Sequence, residues 1–272
     1  MGRASGALRR AVKEVAVAVD AVHRPPQGTV VLIYHRVGGR RPSEIDLPTA
    51  AFDEQVAAIA ATGRAGTLDD SVEHLTGRAA TGPSVVVTFD DGTADFVDEA
   101  LPVLVRHGVP ALLYVATDFV ERGRAFPGDG TPVSWAGLRE AVSTGLVALG
   151  SHTHTHALLD RIAAAEVDDE LDRSIELLRT RAGANPRHFA YPKAVAGSPA
   201  ADAAVRARFA SAALSGSRSN VAGSTDPWRL ARSPVQTSDG TRFFTRKLAG
   251  GMAFEETARQ RLNRRRYAGA TT

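Results

Sequence analysis

Two short segments concentrate the side chains most able to do chemistry. Asp90-Asp91-Gly92 follows the apolar run Ser84–Phe89, and Ser151-His152-Thr153-His154-Thr155-His156 follows the run Leu146–Gly150. Paired carboxylates can divide labour, one binding a cation and the other accepting a proton. An Asp-Gly pair alone is an ordinary turn signal. A single histidine is more often structural than ligating, but three of the chain's eight within five residues is the density of a metal site. In an extended segment residues i and i+2 share a face, whereas in a helical turn i and i+4 do, so spacing alone leaves open which histidines bind. If the segment turns after Gly150, His152 and His156 converge. With one aspartate they would offer two nitrogens and one oxygen, leaving positions open for water and substrate.

These segments need a frame that brings strand ends together. From residue 29 onward short apolar runs alternate with helical patterns, the signature of βαβ units. The runs predict strands at Thr29–Tyr34, Ser84–Phe89, Pro110–Ala116, Leu146–Gly150, Arg187–Tyr191, Ala210–Leu214 and Leu230–Val235. Helices are predicted at Thr49–Thr62 with Thr49 as N-cap, and at Thr67–Leu75, Ala94–His107, Ser134–Ser143, Ala163–Arg181 and Pro199–Arg208. About seven parallel strands with intervening helices predict an α/β fold, a distorted (β/α) barrel. In such folds the chemistry collects at the carboxyl ends of the strands, where both segments lie. The expected organisation is an appended helix and linker over 1–27, a catalytic barrel over 28–240, and a basic helix and tail over 241–272. The Gly/Ser/Pro-rich stretch Ser215–Pro227 reads as a loop.

Composition narrows the function classes. With 272 residues, 43% hydrophobic and 23% charged, the chain can bury one large core. The absence of cysteine excludes disulfides and thiolate metal ligands. Lys13, Glu14 and Asp20 interrupt the N-terminal segment, so no signal-peptide core is expected. The apolar run Val109–Ala116 is far shorter than the roughly 20 residues that cross a bilayer. A cytoplasmic or membrane-peripheral protein is the expectation. The net charge of +3 owes much to Arg259, Arg261, Arg264, Arg265 and Arg266, which suggest a solvated helix face or contact with an anionic membrane or polymer. No basic patch is interleaved with aromatics, so nucleic acid is not an expected partner.

Three motifs in order resemble the polysaccharide deacetylase family, carbohydrate esterase family 4 or the NodB homology domain. Thr88-Phe89-Asp90-Asp91-Gly92 is similar to the first motif, and His152-Thr153-His154-Thr155-His156 to the second. Phe189-Ala190-Tyr191-Pro192 is similar to a version of the third, which lines the substrate groove. The resemblance, spanning about Val30 to Val235, implies Asp90 as base and Asp91, His152 and His156 as ligands of one divalent ion, with zinc the first expectation. It implies an N-acetylated saccharide or polysaccharide as substrate, with Tyr191, Pro192 and Lys193 in the groove.

Two departures from the family pattern stand out. Ala190 occupies the place of the usual base-orienting arginine, for which Arg232 is the candidate substitute. No histidine follows His188 to serve as the usual late acid, but Leu32-Ile33-Tyr34-His35 resembles the opening of the circularly permuted poly-N-acetylglucosamine deacetylase subgroup. His35 is the corresponding candidate acid, because the first and last strands of a closed barrel are neighbours. The alternative implied by these departures is a catalytically impaired, carbohydrate-binding pseudoenzyme.

Overall fold

The computed structural model describes residues 3–79, 82–127 and 130–259. The strands at its centre are near-continuous apolar runs, as parallel strands covered on both faces must be. β1 (Val30–Tyr34), β4 (Val85–Phe89) and β5 (Ala111–Val115) are buried along their whole length. β6 (Val147–Ser151), β7 (His188–Ala190), β8 (Ser211–Ala213) and β9 (Ser233–Pro234) complete a seven-stranded sheet in the order β8-β7-β6-β5-β4-β1-β9. All its pairings are parallel. The first strand in sequence thus lies inside the sheet, between β4 and β9. A separate two-stranded pair, β2 (Arg36–Val37) with β3 (Asp46–Leu47), follows β1.

The sheet curls because the segment running into β9 reaches both edges. Leu230 bridges to Ala213 of β8, while Ser233 and Pro234 pair with Leu32 and Ile33 of β1. The predicted loop after β8 braces this seam. Buried Asn220 donates to the carbonyls of Thr29 and Ala231 and accepts from the Ala231 amide. The result is a distorted (β/α) barrel with all seven predicted strands present; six are shortened by a residue or more, and the one predicted over Leu146–Gly150 is shifted by one residue to Val147–Ser151.

The helices wrap this sheet. They include α1 (Arg3–Val22), α2 (Thr49–Ala61), α3 (Leu68–Leu75), α4 (Leu101–His107), α5 (Thr117–Arg122), α6 (Trp135–Ser143), α7 (Ala164–Ala182), α8 (Pro199–Arg208) and α9 (Gly240–Leu248). Caps explain several boundaries, since the hydroxyls of Thr67, Ser134 and Ser198 accept backbone N–H groups at the starts of α3, α6 and α8. Pro48, not Thr49, is the N-cap of α2, and the Thr49 hydroxyl donates to Glu99 instead. The helix predicted over Ala94–His107 is divided. Pro102 has no N–H to continue the ladder, and the chain passes through a π-helical turn at Phe96–Ala100 before α4.

The N- and C-terminal segments are integral to the packing. Lys13 on α1 donates to Asp239 at 2.5 Å, and Lys247 on α9 donates to the same carboxylate at 2.9 Å. Ala16, Phe243 and Met252 form a small core around this buried cluster. Of the basic C-terminal run, Arg259 is described and lines the central cleft. Arg261, Arg264, Arg265 and Arg266 lie outside the described residues. No described helix is long and apolar enough to cross a membrane.

Candidate active site

A cleft of about 430 Å³ opens at the carboxyl ends of the strands, lined by His35, Asp90, Asp91, His152, His156 and Arg232 among others. The turn after β4 separates the two aspartates. The Asp90 amide donates to the Tyr34 carbonyl and continues the β1–β4 pairing. Asp91 then takes a left-handed conformation, φ 74°, and Gly92 follows at φ 95°. A side chain on Gly92 would press within 3.2 Å of Val115, so this turn fits glycine on two counts.

Asp91 reaches across to the histidine segment. Its Oδ1 lies 3.7 Å from His152 Nε2 and 3.5 Å from His156 Nε2. One ligand atom from each of the three residues lies within 4.8 Å of the others. A tetrahedral zinc ion about 2.0–2.2 Å from each donor would set its ligands roughly 3.4 Å apart, so the donor set fits an ion of that size. His152 Nδ1–H donates to the Ala190 carbonyl at 2.7 Å, which fixes the tautomer and turns Nε2 towards the centre. Burial, followed by the neighbouring His152, lowers the pKa of His156 to about 4, so its ring is neutral and able to ligate at ordinary pH. His154 points elsewhere: its Nδ1 is 2.9 Å from the Thr117 hydroxyl, and its Nε2 faces Asp118.

Asp90 faces the barrel interior. Arg232 grips it twice, Nη1 to Oδ1 at 2.6 Å and Nη2 to Oδ2 at 2.9 Å. The guanidinium also donates to Thr88 Oγ1 and the Leu214 carbonyl, and its carbon lies 5.0 Å from the centre of the Tyr114 ring. Its side chain is 1% exposed. Burial alone would push the Asp90 pKa up, but Arg232, with help from His152, holds it well below the usual carboxylate range. Asp90 is therefore ionised even though it is buried.

The third predicted segment divides. Lys193, left-handed at φ 52°, lines the cleft. Tyr191 does not: it is fully buried against Phe189, and its hydroxyl donates to Asp202 at 2.7 Å. Pro192 is buried in the turn and is likewise not among the cleft-lining residues. The amides of Ala194 and Val195 donate to Tyr191 and Pro192 within that turn, so neither is aimed at the cleft. His35 follows the carboxyl end of β1 and lines the same cleft as the metal donors.

Sequence reasoning missed several nearby residues. Arg259, engaged with Glu256 and Ser215, forms part of the cleft wall, although in the sequence it belongs to an ordinary basic run. Phe126 and Gln236 also line it, and Glu170 braces the histidine loop. Glu170 carries no local signal, since α7 is rich in exposed charge.

A distorted (β/α) barrel with paired aspartates and converging histidines at its carboxyl face defines a hydrolase of the carbohydrate-deacetylase class. The sequence profile described as polysaccharide deacetylase matches residues 77–211, which marks a polysaccharide deacetylase domain in this chain. Among solved structures it is similar to IcaB from Ammonifex degensii, at 27% identity and TM-score 0.70, over 83% of this chain and 97% of that one. It also resembles the deacetylase PplD from Streptococcus pyogenes in complex with acetate, at 19% identity and TM-score 0.70, over 82% of this chain and 98% of that one. A polysaccharide deacetylase from Bacillus cereus matches at 21% identity and TM-score 0.68, over 82% of this chain and 69% of that one. At those lower identities the likeness is one of fold. No curated protein matches the chain.

Proposed function

We propose that the chain is a divalent-metal-dependent N-deacetylase that hydrolyses the acetamido group of an N-acetylated saccharide or polysaccharide, giving acetate and a free amine. The observation that carries this reading is the Asp90 carboxylate, gripped at both oxygens by Arg232 beside the Asp91, His152 and His156 donors. An ion bound by those three residues, zinc first for a set of two nitrogens and one oxygen, supplies Lewis-acid chemistry to water and to the acetyl carbonyl.

Asp90 accepts the proton of the attacking water, since each carboxylate oxygen retains a lone pair beyond its bond to Arg232. Arg232 orients that carboxylate and keeps it charged, the task for which Ala190 has no side chain. His35, in the same cleft, delivers a proton to the departing sugar nitrogen. Lys193 contributes to the cleft wall that receives the saccharide. The impaired, pseudoenzyme reading drew on the missing third-motif arginine, and the Arg232–Asp90 pair favours turnover instead.

Metal analysis combined with acetate release from a panel of N-acetylated saccharides tests the proposal. The expected result is close to one divalent ion per chain and acetate release that a chelator abolishes and added zinc restores. Chelator-insensitive release, or metal-loaded protein that releases no acetate from any member, would overturn it.

A further inference from the structure

The loop carrying both candidate histidine ligands adopts a backbone that its own residues disfavour. Thr153 at φ 63° and His156 at φ 66° are both left-handed, a region that a β-branched residue such as threonine avoids and that histidine enters more readily. Such strain persists only where the surroundings over-determine it. Here three hydrogen bonds come from one side chain on α7. One oxygen of the Glu170 carboxylate accepts the N–H groups of His154 at 2.9 Å and Thr155 at 2.8 Å, and the other accepts the Thr155 hydroxyl at 2.7 Å. The opposite side of the loop is held by α5, whose Asp118 amide donates to the His154 carbonyl at 2.8 Å. Glu170 is not among the three proposed donors, and it does not line the catalytic cleft.

We propose that Glu170 is a positioning residue for the metal centre: its carboxylate locks the 151–157 loop so that His156 meets Asp91 and His152, and so sets the affinity for the ion. The inference rests on the reading of those three residues as the donors. Without the clamp the loop relaxes out of its left-handed conformations, and ion binding must supply the free energy to restore them. Affinity then falls, while turnover at saturating ion, where the geometry has been restored, changes little. Partners that orient ligands in this way are typically worth about 10- to 100-fold in metal affinity.

The test is titration of the metal-free full chain with zinc alone, and with cobalt, whose visible spectrum reports ligand geometry. Glu170→Ala should weaken zinc binding by about 10- to 100-fold and alter the cobalt spectrum at partial loading, with kcat at saturating zinc within a few-fold of wild type. Glu170→Gln should recover most of the affinity, because its amide oxygen still accepts both N–H groups while the charge is gone. Thr155→Val, which removes one bond of the three, should lie between and guards against misfolding of the alanine variant. Glu176→Ala, on the same helix but paired outward with Arg173, should bind as wild type. Wild-type affinity in both Glu170→Ala and Thr155→Val, or an equal loss in Glu170→Gln and Glu170→Ala, would overturn the clamp. A wild-type chain that takes up neither ion would overturn the donor assignment itself, and the clamp with it.

Discussion

Arg232 and Asp90, 142 residues apart, form a two-point pair inside the barrel, with Nη1–Oδ1 at 2.6 Å and Nη2–Oδ2 at 2.9 Å. The pair joins the end of the chain's second sheet strand to the segment that closes the seam. Its geometry gives a buried carboxylate both its charge and its direction.

Two substitutions separate those contributions. Asp90→Asn is nearly isosteric but cannot accept the water's proton, so it should retain the metal and lose about 10²- to 10⁴-fold in rate. Arg232→Met leaves burial unopposed, and the Asp90 pKa should rise from below the usual carboxylate range to above it. The acid limb of the pH–rate profile should then move to higher pH, with a stability loss of about 3–5 kcal/mol from the uncompensated charge. Denaturant unfolding and pH–rate profiles check both, and an unmoved acid limb in Arg232→Met would separate Arg232 from the base.

Alanine at Asp91, His152 or His156 should remove bound metal and acetate release together. His154→Ala should retain the metal, because its ring faces Thr117 and Asp118. Elemental analysis of the four purified variants decides the matter. Metal kept in His156→Ala but lost in His154→Ala would reverse the assignment.

Stability of the metal-free chain should depend on pH through His156. Its folded pKa of about 4 lies below the ordinary value of 6.5. Between those values the unfolded chain binds the extra proton, so the native state loses stability as the pH falls through that window. His156→Gln should flatten this slope in chelator-treated protein. An unchanged slope, measured by urea unfolding at several pH values, would remove His156 as a contributor.

His35→Ala should slow hydrolysis of an acetamido sugar by about 10²-fold or more while metal content stays constant. An amine is a poor leaving group and needs its proton, whereas an activated aryl ester does not. The ester rate should therefore fall much less. Equal losses on the two substrates would leave His35 as a structural residue of the cleft wall.

Lys13→Met should destabilise the chain by about 2 kcal/mol or more, although Lys13 lies on α1 and is not a cleft residue. The substitution keeps the bulk of the side chain but removes a cation from the buried Asp239 and Glu255 carboxylates. Acetate release per folded molecule should be nearly unchanged at low temperature. A melting temperature equal to wild type would mean that Lys247 alone suffices.

The candidate site was legible in the sequence wherever the signal was local. Asp90-Asp91-Gly92 and the three histidines each follow an apolar run. Parallel strands buried on both faces must be such runs, and barrel chemistry gathers at their carboxyl ends. The same logic placed His35 after β1. Motif likeness did less well at Tyr191, because a groove motif names residue types and not which way a side chain turns. The hydrophobic core claims this ring, and its hydroxyl finds Asp202.

By itself, then, the sequence determined the order of strands, the residues at their ends and the metal-ligating chemistry those residues can offer. Only the tertiary structure decided that Arg232 grips Asp90, that His154 turns away while His156 turns in, and that Glu170 braces their loop. It also decided that Arg259 lines the cleft. Each of these depends on contacts between different elements of the fold. The grip of Arg232 on Asp90 forms only when the curled sheet closes through Leu230 and β9, and no local periodicity encodes that closure.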